Sequence, residues 1–342
     1  MTSEGEREPA PIYHGGDLAQ IRARFPDAPE PWIDLSTGID PIAWEVPPLA
    51  PEVWTRLPAP SEVARLEKVA ARAFGVADPA CVAAVPGTQA AIQMLPRLLA
   101  GDRVGILGFT YQEHAHVWRA AGREVTVVES LDRLAAFDVG LLVNPNNPDG
   151  RYLPPDRLAA FAAGMAAAGR RAVVDEAFVD VLDDDATLAP RIPDCGAIVL
   201  RSFGKTWGLA GLRLGFVLAE PALARTLRDA FGPWAVSGPA IAVGAAALAD
   251  RDWLLATRAR THRDAARLDA VLEGAGLRLL GGTPLFRLVE SREASVVADR
   301  LAAAGIHVRR FPHDPTRLRF GLPGDETQWR RLCDALSATP IR

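Results

Sequence analysis

Lysine is nearly absent from this chain. The 342 residues include 38 lysines and arginines together, but only two of these are lysines, so the other 36 are arginines. This composition excludes the usual lysine-covered surface. It indicates a genome rich in G and C, in which arginine codons are favoured over lysine codons. The lysines that remain are therefore conspicuous, and one of them, Lys205, lies in a segment rich in glycine.

Cysteine pairs and long apolar runs are also lacking. Cys81, Cys195 and Cys333 are widely spaced and form no CxxC motif, so the sequence favours neither a disulfide framework nor a zinc site. No run of about 18 apolar residues occurs, and the charged N-terminus has no signal-peptide core, so we expect a cytoplasmic protein. The net charge of −4 gives no electrostatic reason to expect nucleic acid or an anionic membrane as a partner.

The order of apolar and alanine-rich segments predicts the fold. Strand-like apolar runs occur near residues 82–85, 103–107, 124–128, 139–143, 172–174, 197–200 and 214–218. Their alternation with helical stretches indicates an α/β protein with a mostly parallel central sheet flanked by helices. One clear helix is expected over residues 61–74, with Ser61 as its cap and Gly75 at its end.

The pattern changes after Trp234. It predicts helices over residues 251–272 and 294–304, and short strands near 277–289 and 317–320. These elements indicate a smaller C-terminal α+β domain at residues 236–342, beside a large domain at 46–235. The acidic run Asp183–Asp185 is expected to be a solvated loop.

Lys205 is expected in a tight turn at the end of a strand. Its segment, Ser-Phe-Gly-Lys-Thr-Trp-Gly at residues 202–208, follows the apolar run 197–200. An amine in such a turn could form a covalent bond with a carbonyl compound. Taken alone, Lys205 could equally be an ordinary loop lysine.

The segment resembles the cofactor-lysine motif of pyridoxal-phosphate (PLP) enzymes of the aminotransferase class I/II type, which have fold type I. In that motif Ser/Thr-x-Ser/Gly-Lys is followed eight residues later by arginine. The resemblance implies that Lys205 binds PLP covalently, and that Ser202 and Arg213 hold its phosphate. A guanidinium is always charged and can bind in a bidentate manner, which suits a phosphate dianion.

The same resemblance implies contacts to the cofactor ring. Asp175, after the apolar run 172–174, matches the partner of the pyridinium nitrogen, whereas without the other motifs it would be read as a cap or turn residue. Asn147, in Asn-Pro-Asn-Asn-Pro-Asp-Gly, matches the residue that donates to the ring oxygen. Phe178 replaces a tyrosine often found there, which leaves Asn147 as the side-chain donor.

Two further motifs complete the implied cofactor site. Gly87, Thr88 and Gln89 open a predicted helix, whose N-terminal amides and positive dipole end favour an anion, and in the family this turn holds the PLP phosphate. Tyr111 aligns with the aromatic residue that stacks on the cofactor ring, with Phe109 as the alternative.

Glu113, His114 and His116 are candidate metal ligands by residue type. No third nitrogen or sulfur ligand stands at a telling spacing, and the surrounding apolar residues suit a plain helix. We therefore expect no metal site.

The first forty residues resemble one branch of this family. His-Gly-Gly-Asp at residues 14–17 and Asp-Leu-Ser-Thr-Gly-Ile-Asp-Pro at 34–41 are similar to motifs of the threonine-phosphate decarboxylases of cobalamin biosynthesis. That branch implies decarboxylation of L-threonine O-3-phosphate. Histidinol-phosphate aminotransferases, which usually lack His-Gly-Gly, are the alternative, and a non-enzymatic PLP-binding scaffold is a third possibility.

The resemblance also implies the substrate contacts. Arg319 would grip the α-carboxylate, and the backbone near Gly38 and Ile39 would orient it. For the substrate phosphate we predict His14 with one of the two neighbouring arginines, Arg309 or Arg310, although such a pair could also be a solvated strand edge.

The family is further expected to form homodimers, with an N-terminal arm, here residues 1–45, packed on the small domain. Two residues depart from the family pattern. Asp40 replaces an asparagine, and Leu57 stands where aminotransferases have a tyrosine that reaches the neighbouring subunit's cofactor phosphate.

Overall fold

The computed structural model describes residues 15–337. The strands in that range are β1 (Ile33–Leu35), β2 (Val82–Val85), β3 (Arg103–Leu107), β4 (Glu124–Val128), β5 (Val139–Val143), β6 (Arg171–Asp175), β7 (Ala197–Ser202), β8 (Gly215–Leu218), β9 (Arg278–Thr283), β10 (Phe286–Glu290), β11 (Ile306–Arg310) and β12 (Arg317–Gly321). The helices are α1 (Leu18–Arg24), α2 (Glu52–Thr55), α3 (Pro60–Phe74), α4 (Thr88–Leu98), α5 (Gln112–Ala120), α6 (Leu131–Leu134), α7 (Pro155–Ala167), α8 (Ile192–Cys195), α9 (Phe203–Thr206), α10 (Pro221–Phe231), α11 (Gly238–Ala249), α12 (Arg251–Gly274), α13 (Ala294–Ala303) and α14 (Glu326–Ser337). No helix among them combines the length and apolar composition needed to cross a membrane.

The larger sheet has seven strands in the order β2-β8-β7-β6-β5-β3-β4. Strand β8 runs antiparallel to both of its neighbours, and the other pairs are parallel. Strands β2, β5, β7 and β8 are buried along their whole length, because helices cover both faces of a parallel sheet. The predicted mostly parallel α/β sheet is confirmed, and its strand ends lie within two residues of those expected.

Helix α3 begins one residue earlier than predicted, at Pro60. Ser61 is not its cap, because it lies in the first turn and the N-cap position belongs to Ala59. Proline is favourable at the first helical position, and the Glu62 carboxylate accepts a hydrogen bond of 2.7 Å from the Ala59 amide. Gly75, at φ 72°, ends the helix in the left-handed conformation as expected.

The smaller sheet has five strands in the order β1-β11-β12-β10-β9. Strand β1, from the N-terminal arm, pairs in parallel with β11, and the remaining pairs are antiparallel. Strand β11 had no predicted counterpart, because its short Ile-His-Val-Arg-Arg sequence carries little apolar signal. Its register with β12 places Arg309 directly opposite Arg319.

Helix α11 belongs to the large sheet rather than to the small one. Its residues Ala240, Ile241 and Val243 share a core with Leu66 of α3. Gly244 allows this approach, since a Cβ there would lie 2.3 Å from Leu214 Cδ2. The large unit therefore continues beyond residue 235, to the start of α12.

The acidic run Asp183–Asp185 is exposed, as expected for a solvated loop, and Asp184 in addition contacts the long helix α12. Its carboxylate forms ion pairs with Arg251 and Arg258 of α12. These hydrogen bonds and charges lower the pKa of Asp184 to about 2. The loop is thereby attached to the long helix that leads to the small sheet.

Candidate active site

A cavity of about 610 Å³ lies where the carboxyl ends of the large parallel sheet face the small sheet. Crevices of this kind are the usual ligand sites of open α/β sheets. Most residues that the sequence singled out line it: Gly38, Ile39, Gly87, Thr88, Gln89, Phe109, Tyr111, Asn147, Asp175, Phe178, Ser202, Lys205, Arg213, Arg309 and Arg319.

Lys205 lies in the short helix α9, one turn beyond strand β7. Gly204 lets the next turn approach, since a Cβ there would lie 2.6 Å from Ala210 Cα. Burial, together with the positive charges of Arg319 and Arg213, lowers the pKa of Lys205 to about 8, although Asp175 opposes the shift. Near neutral pH an appreciable fraction of this amine is therefore unprotonated and nucleophilic.

Asp175 ends strand β6 and is 3% exposed. Its Oδ1 accepts from the Ala177 amide at 2.9 Å, and its Oδ2 lies 2.9 Å from Nε2 of the buried His114. These contacts fix the carboxylate at the cavity wall. A fixed buried carboxylate is the chemical group needed to hold a proton on a pyridine nitrogen.

His114 contacts the candidate site in a way that its sequence context does not show. Its residue type suggests a metal ligand, whereas its ring lies against Asp175 from helix α5. Glu113 instead accepts from Gln89 Nε2 at 2.8 Å, and His116 is exposed. The three candidate ligands thus face different surroundings. His114 follows Tyr111 by three residues and the two rings meet edge-on with 5.9 Å between their centroids, so this spacing could have indicated its place beside the site.

Tyr111 is held in place by the side chain of Gln89. The tyrosine hydroxyl donates to Gln89 Oε1 at 3.1 Å. Burial, with the nearby charges of Glu113 and Asp175, raises the pKa of Tyr111 to about 12, so the hydroxyl stays protonated. Phe109, the alternative stacking residue, lies 4.7 Å from the His313 ring at the edge of the cavity.

The N-terminus of α4 and the arginine after α9 form a cationic cradle. Gly87 precedes the helix at φ 82°, and a Cβ there would lie 2.9 Å from Arg213 Nη2. Ser202, at the end of β7, lines the same part of the cavity, as does Thr88. The helix dipole, the exposed amides and the guanidinium all favour a phosphate group. Gln89 can contribute only its backbone amide to this cradle, because its side chain is hydrogen-bonded to Glu113 and Tyr111.

Arg319 of β12 is 7% exposed and faces Lys205 across the cavity. Its guanidinium donates to Asn147 Oδ1 at 2.5 Å and to the Ser36 carbonyl at 2.8 Å. Burial and the charge of Arg309 lower the pKa of Arg319 to about 9, so it remains a cation at neutral pH. Asn147 keeps its amide nitrogen as a donor towards the cavity because its oxygen accepts from Arg319.

The predicted arginine pair separates in the structure. Arg309 lines the cavity, whereas Arg310 does not and pairs with Asp299 at 2.6 Å. Successive residues of a strand point to opposite faces, so only one of the two can reach the site, and the alternative Arg310 is corrected. His14 lies outside the described residues.

His313, at the cavity edge, carries no recognisable sequence motif. It lies in the loop after β11, and its Nδ1 is 3.2 Å from Gln112 Nε2.

Two residues stand where the family pattern has tyrosine. Phe178 packs edge-on against Phe286 at 5.0 Å between ring centroids. Leu57, which stands in place of a tyrosine, is 68% exposed.

The described residues fit the PLP molecule that the sequence implied. An anion cradle, a carboxylate for the ring nitrogen and a nucleophilic amine lie in one cavity. The cradle is closed to side chains, because a Cβ on Gly87 would meet Arg213. The site therefore offers one matched group for each charged end of PLP.

Comparisons with known proteins identify the family of this chain. The family model for aminotransferases of class I and II matches residues 54–336. A threonine-phosphate decarboxylase of Sinorhizobium sp. is 46% identical over 96% of this chain and 98% of its own. A threonine-phosphate decarboxylase of Pseudomonas aeruginosa is 42% identical over 95% and 97%.

A solved structure shows the same fold. The histidinol-phosphate aminotransferase of Sinorhizobium meliloti, in complex with pyridoxal-5'-phosphate, superposes with a TM-score of 0.79. The match covers 96% of this chain and 95% of that one, at 24% identity.

Proposed function

Since the chain belongs to the family of class I and II aminotransferases and its cofactor is PLP, we propose that it decarboxylates L-threonine O-3-phosphate. The products are (R)-1-aminopropan-2-yl phosphate and CO₂, and the reaction is a step of cobalamin biosynthesis in the cytoplasm. The observation that carries the proposal is the nearly full-length similarity to two threonine-phosphate decarboxylases.

The charges of the cavity support a substrate with two anionic groups. Arg309 and Arg319 are register partners on adjacent strands and both line the cavity. One cation can hold the α-carboxylate while the other holds the phosphate monoester. Histidinol phosphate has a phosphate but no carboxylate, so it would use this pair less completely.

PLP, when bound, supplies an electron sink for the electrons released at the substrate's Cα. The protein's part is to orient the substrate. Arg319 holds the carboxylate, and the cavity wall near Gly38 and Ile39 sets the angle of its bond to Cα. Lys205 Nζ, with its lowered pKa, can hold or release a proton beside that carbon near neutral pH. Arg309, with His14, takes the phosphate.

An amino-acceptor assay separates decarboxylation from transamination. The purified holoenzyme is incubated with O-phospho-L-threonine, with and without 2-oxoglutarate. Release of CO₂ and aminopropanol phosphate without an acceptor is the expected result. Formation of glutamate in its place would instead support the aminotransferase alternative and overturn the proposal.

The proposal includes a homodimer. Trp54, Leu57 and Trp234 are more than half exposed, an unusual state for large apolar side chains. Their segments meet, because a Cβ on Gly238 would lie 2.3 Å from the Val53 carbonyl oxygen. A second copy of the chain covering this surface would remove the exposed aromatic area from water.

A further inference from the structure

The segment after β1 contacts three parts of the active site. We call residues 36–44 the cover segment. Its Ser36 carbonyl accepts a hydrogen bond from Arg319, and Gly38 packs on Phe178, where a Cβ would lie 2.8 Å from Phe178 Cε1. In the middle of the segment, the Asp40 amide donates to the Lys205 carbonyl at 2.9 Å. The position of this segment therefore affects both the carboxylate-binding arginine and the lysine.

The cover segment is aligned with the lysine turn by its backbone. Besides the bond from Asp40, the Trp44 amide donates to the Trp207 carbonyl at 2.9 Å. Gly208, at φ 65°, permits this contact, because a Cβ there would lie 2.6 Å from Ala43 Cα. These contacts leave the side chain of Asp40 free to make a separate attachment.

That side chain is anchored to the long helix α12. Asp40 is 2% exposed, and its Oδ1 accepts from the Ile42 amide at 2.9 Å. Its Oδ2 lies 2.5 Å from Nη2 of Arg260, whose other nitrogen Nη1 is 3.4 Å from Asp264. Burial raises the pKa of Asp40, while the Ile42 amide and Arg260 oppose the shift. Arg260 thus compensates a carboxylate that would otherwise be buried without a counter-charge.

We propose that the Asp40–Arg260 ion pair is a positioning device for the reaction, resting on the decarboxylase function proposed for this site. It ties the cover segment to α12 and so fixes where the Ser36 carbonyl directs Arg319. Asp40 itself does not line the cavity, and neither does Arg260. Both residues therefore act through the cover segment and not on the substrate.

The first test compares amide exchange in holoenzyme variants. In Arg260→Met, the amides of Asp40 and Trp44 are expected to exchange hydrogen for deuterium faster than in the wild type. Arg267→Met is the matched control, since Arg267 lies on the same helix and pairs with Glu326 at the surface. In Arg260→Lys, which keeps the positive charge, these two amides should keep much of their protection from exchange. Unchanged exchange in Arg260→Met would overturn the proposal.

The second test separates substrate from product. Arg260→Met should raise KM for O-phospho-L-threonine by roughly ten- to a hundredfold, because a misaimed group distant from the chemistry has effects of this size. The dissociation constant of (R)-1-aminopropan-2-yl phosphate, which lacks the carboxylate, should change less than about threefold. Equal weakening of both would indicate a merely structural role and overturn the proposal.

A double variant tests whether Asp40 and Arg260 act together. Asp40→Asn combined with Arg260→Met should raise KM for O-phospho-L-threonine no more than the more harmful of the two single variants, because both remove the same ion pair. Increases in KM that multiply in the double variant would show that the two residues act independently and would overturn the proposal. If the wild type releases no CO₂, the proposed function fails, but the exchange measurement still decides whether the pair holds the cover segment.

Discussion

The Lys205 amine lies among groups that shift its pKa in opposite directions. Burial and the guanidinium groups of Arg319 and Arg213 disfavour its protonated form, and the carboxylate of Asp175 favours it. The result is an amine that can act as a nucleophile near neutral pH.

The scarcity of lysine makes the proposed covalent role of Lys205 directly measurable. Lys205→Ala should abolish turnover and should carry no PLP after reduction with borohydride, as measured by mass spectrometry. The exposed Lys68 is the matched control, and Lys68→Ala should keep both the label and the activity. A label on Lys68 in the wild type would contradict the assignment.

The lowered pKa of Lys205 also predicts how the stability of the PLP-free protein depends on pH. Its pKa falls from 10.5 unfolded to about 8 folded, so the folded state binds this proton more weakly. The resulting destabilisation is complete below pH 8 and disappears as the pH rises towards 10.5.

Lys205→Met removes this proton. The variant should therefore exceed the wild type in unfolding free energy by about 1–3 kcal/mol at pH 6.5, and by less at pH 9.5. Urea denaturation at the two pH values measures the difference, with Lys68→Met as the control. A gain that grows with pH would contradict the charge argument.

At the scale of elements, the alternation of strand β11 decides which arginine serves the site. Its side chains point alternately to two faces, so Arg309 lines the cavity and Arg310 reaches Asp299. Strand β12 then adds Arg319 beside Arg309 on the cavity side. Two neighbouring strands thus place two cations on the wall of one cavity.

Adjacent residues provide a matched pair of variants. Arg309→Met should raise KM for O-phospho-L-threonine by roughly 10–100-fold, which corresponds to losing a charged hydrogen bond, with a smaller effect on kcat. Arg310→Met should stay within about threefold of the wild type, as expected for a partly exposed ion pair. Steady-state kinetics of both variants decides the matter, and a larger loss in Arg310→Met would reverse the assignment.

The candidate active site lies between the two sheets of the molecule. The large unit supplies Lys205, Asp175 and the cationic cradle, whereas the small sheet supplies Arg309 and Arg319. The cover segment crosses from β1 of the small sheet to the lysine turn of the large unit. The relative placement of the units therefore sets the distance between cofactor and carboxylate groups.

The proposed dimer is tested on the exposed aromatic surface. Trp54→Ser and Trp234→Ser together should raise the dimer dissociation constant at least tenfold, because buried tryptophans often dominate interfaces. Sedimentation velocity over a dilution series measures the change. Val296→Ser, which alters a residue 64% exposed on α13, is the control and should leave the dimer intact. A monomeric wild type would contradict the proposal outright.

The sequence alone predicted the strands of the large sheet, and most of the site residues that it singled out line the cavity. Runs such as Val139–Val143 are apolar because both faces of the sheet are covered, so local composition is sufficient to locate them. The cofactor motifs are equally local, since each occupies one turn at a strand end or helix start.

Lys205 with Ser202 is the clearest of these motifs, because both lie within one turn of the chain. What remained hidden depends on contacts between distant segments. His114 beneath Asp175 and Arg260 beside Asp40 carry no local pattern, because their roles come from partners 61 and 220 residues away. The choice between Arg309 and Arg310 depended on which side chains of β11 point towards the cavity. The extent of the large unit depended on the packing of α11 against the large sheet. The tertiary structure decided these points because burial and side-chain direction are set only when the two sheets come together.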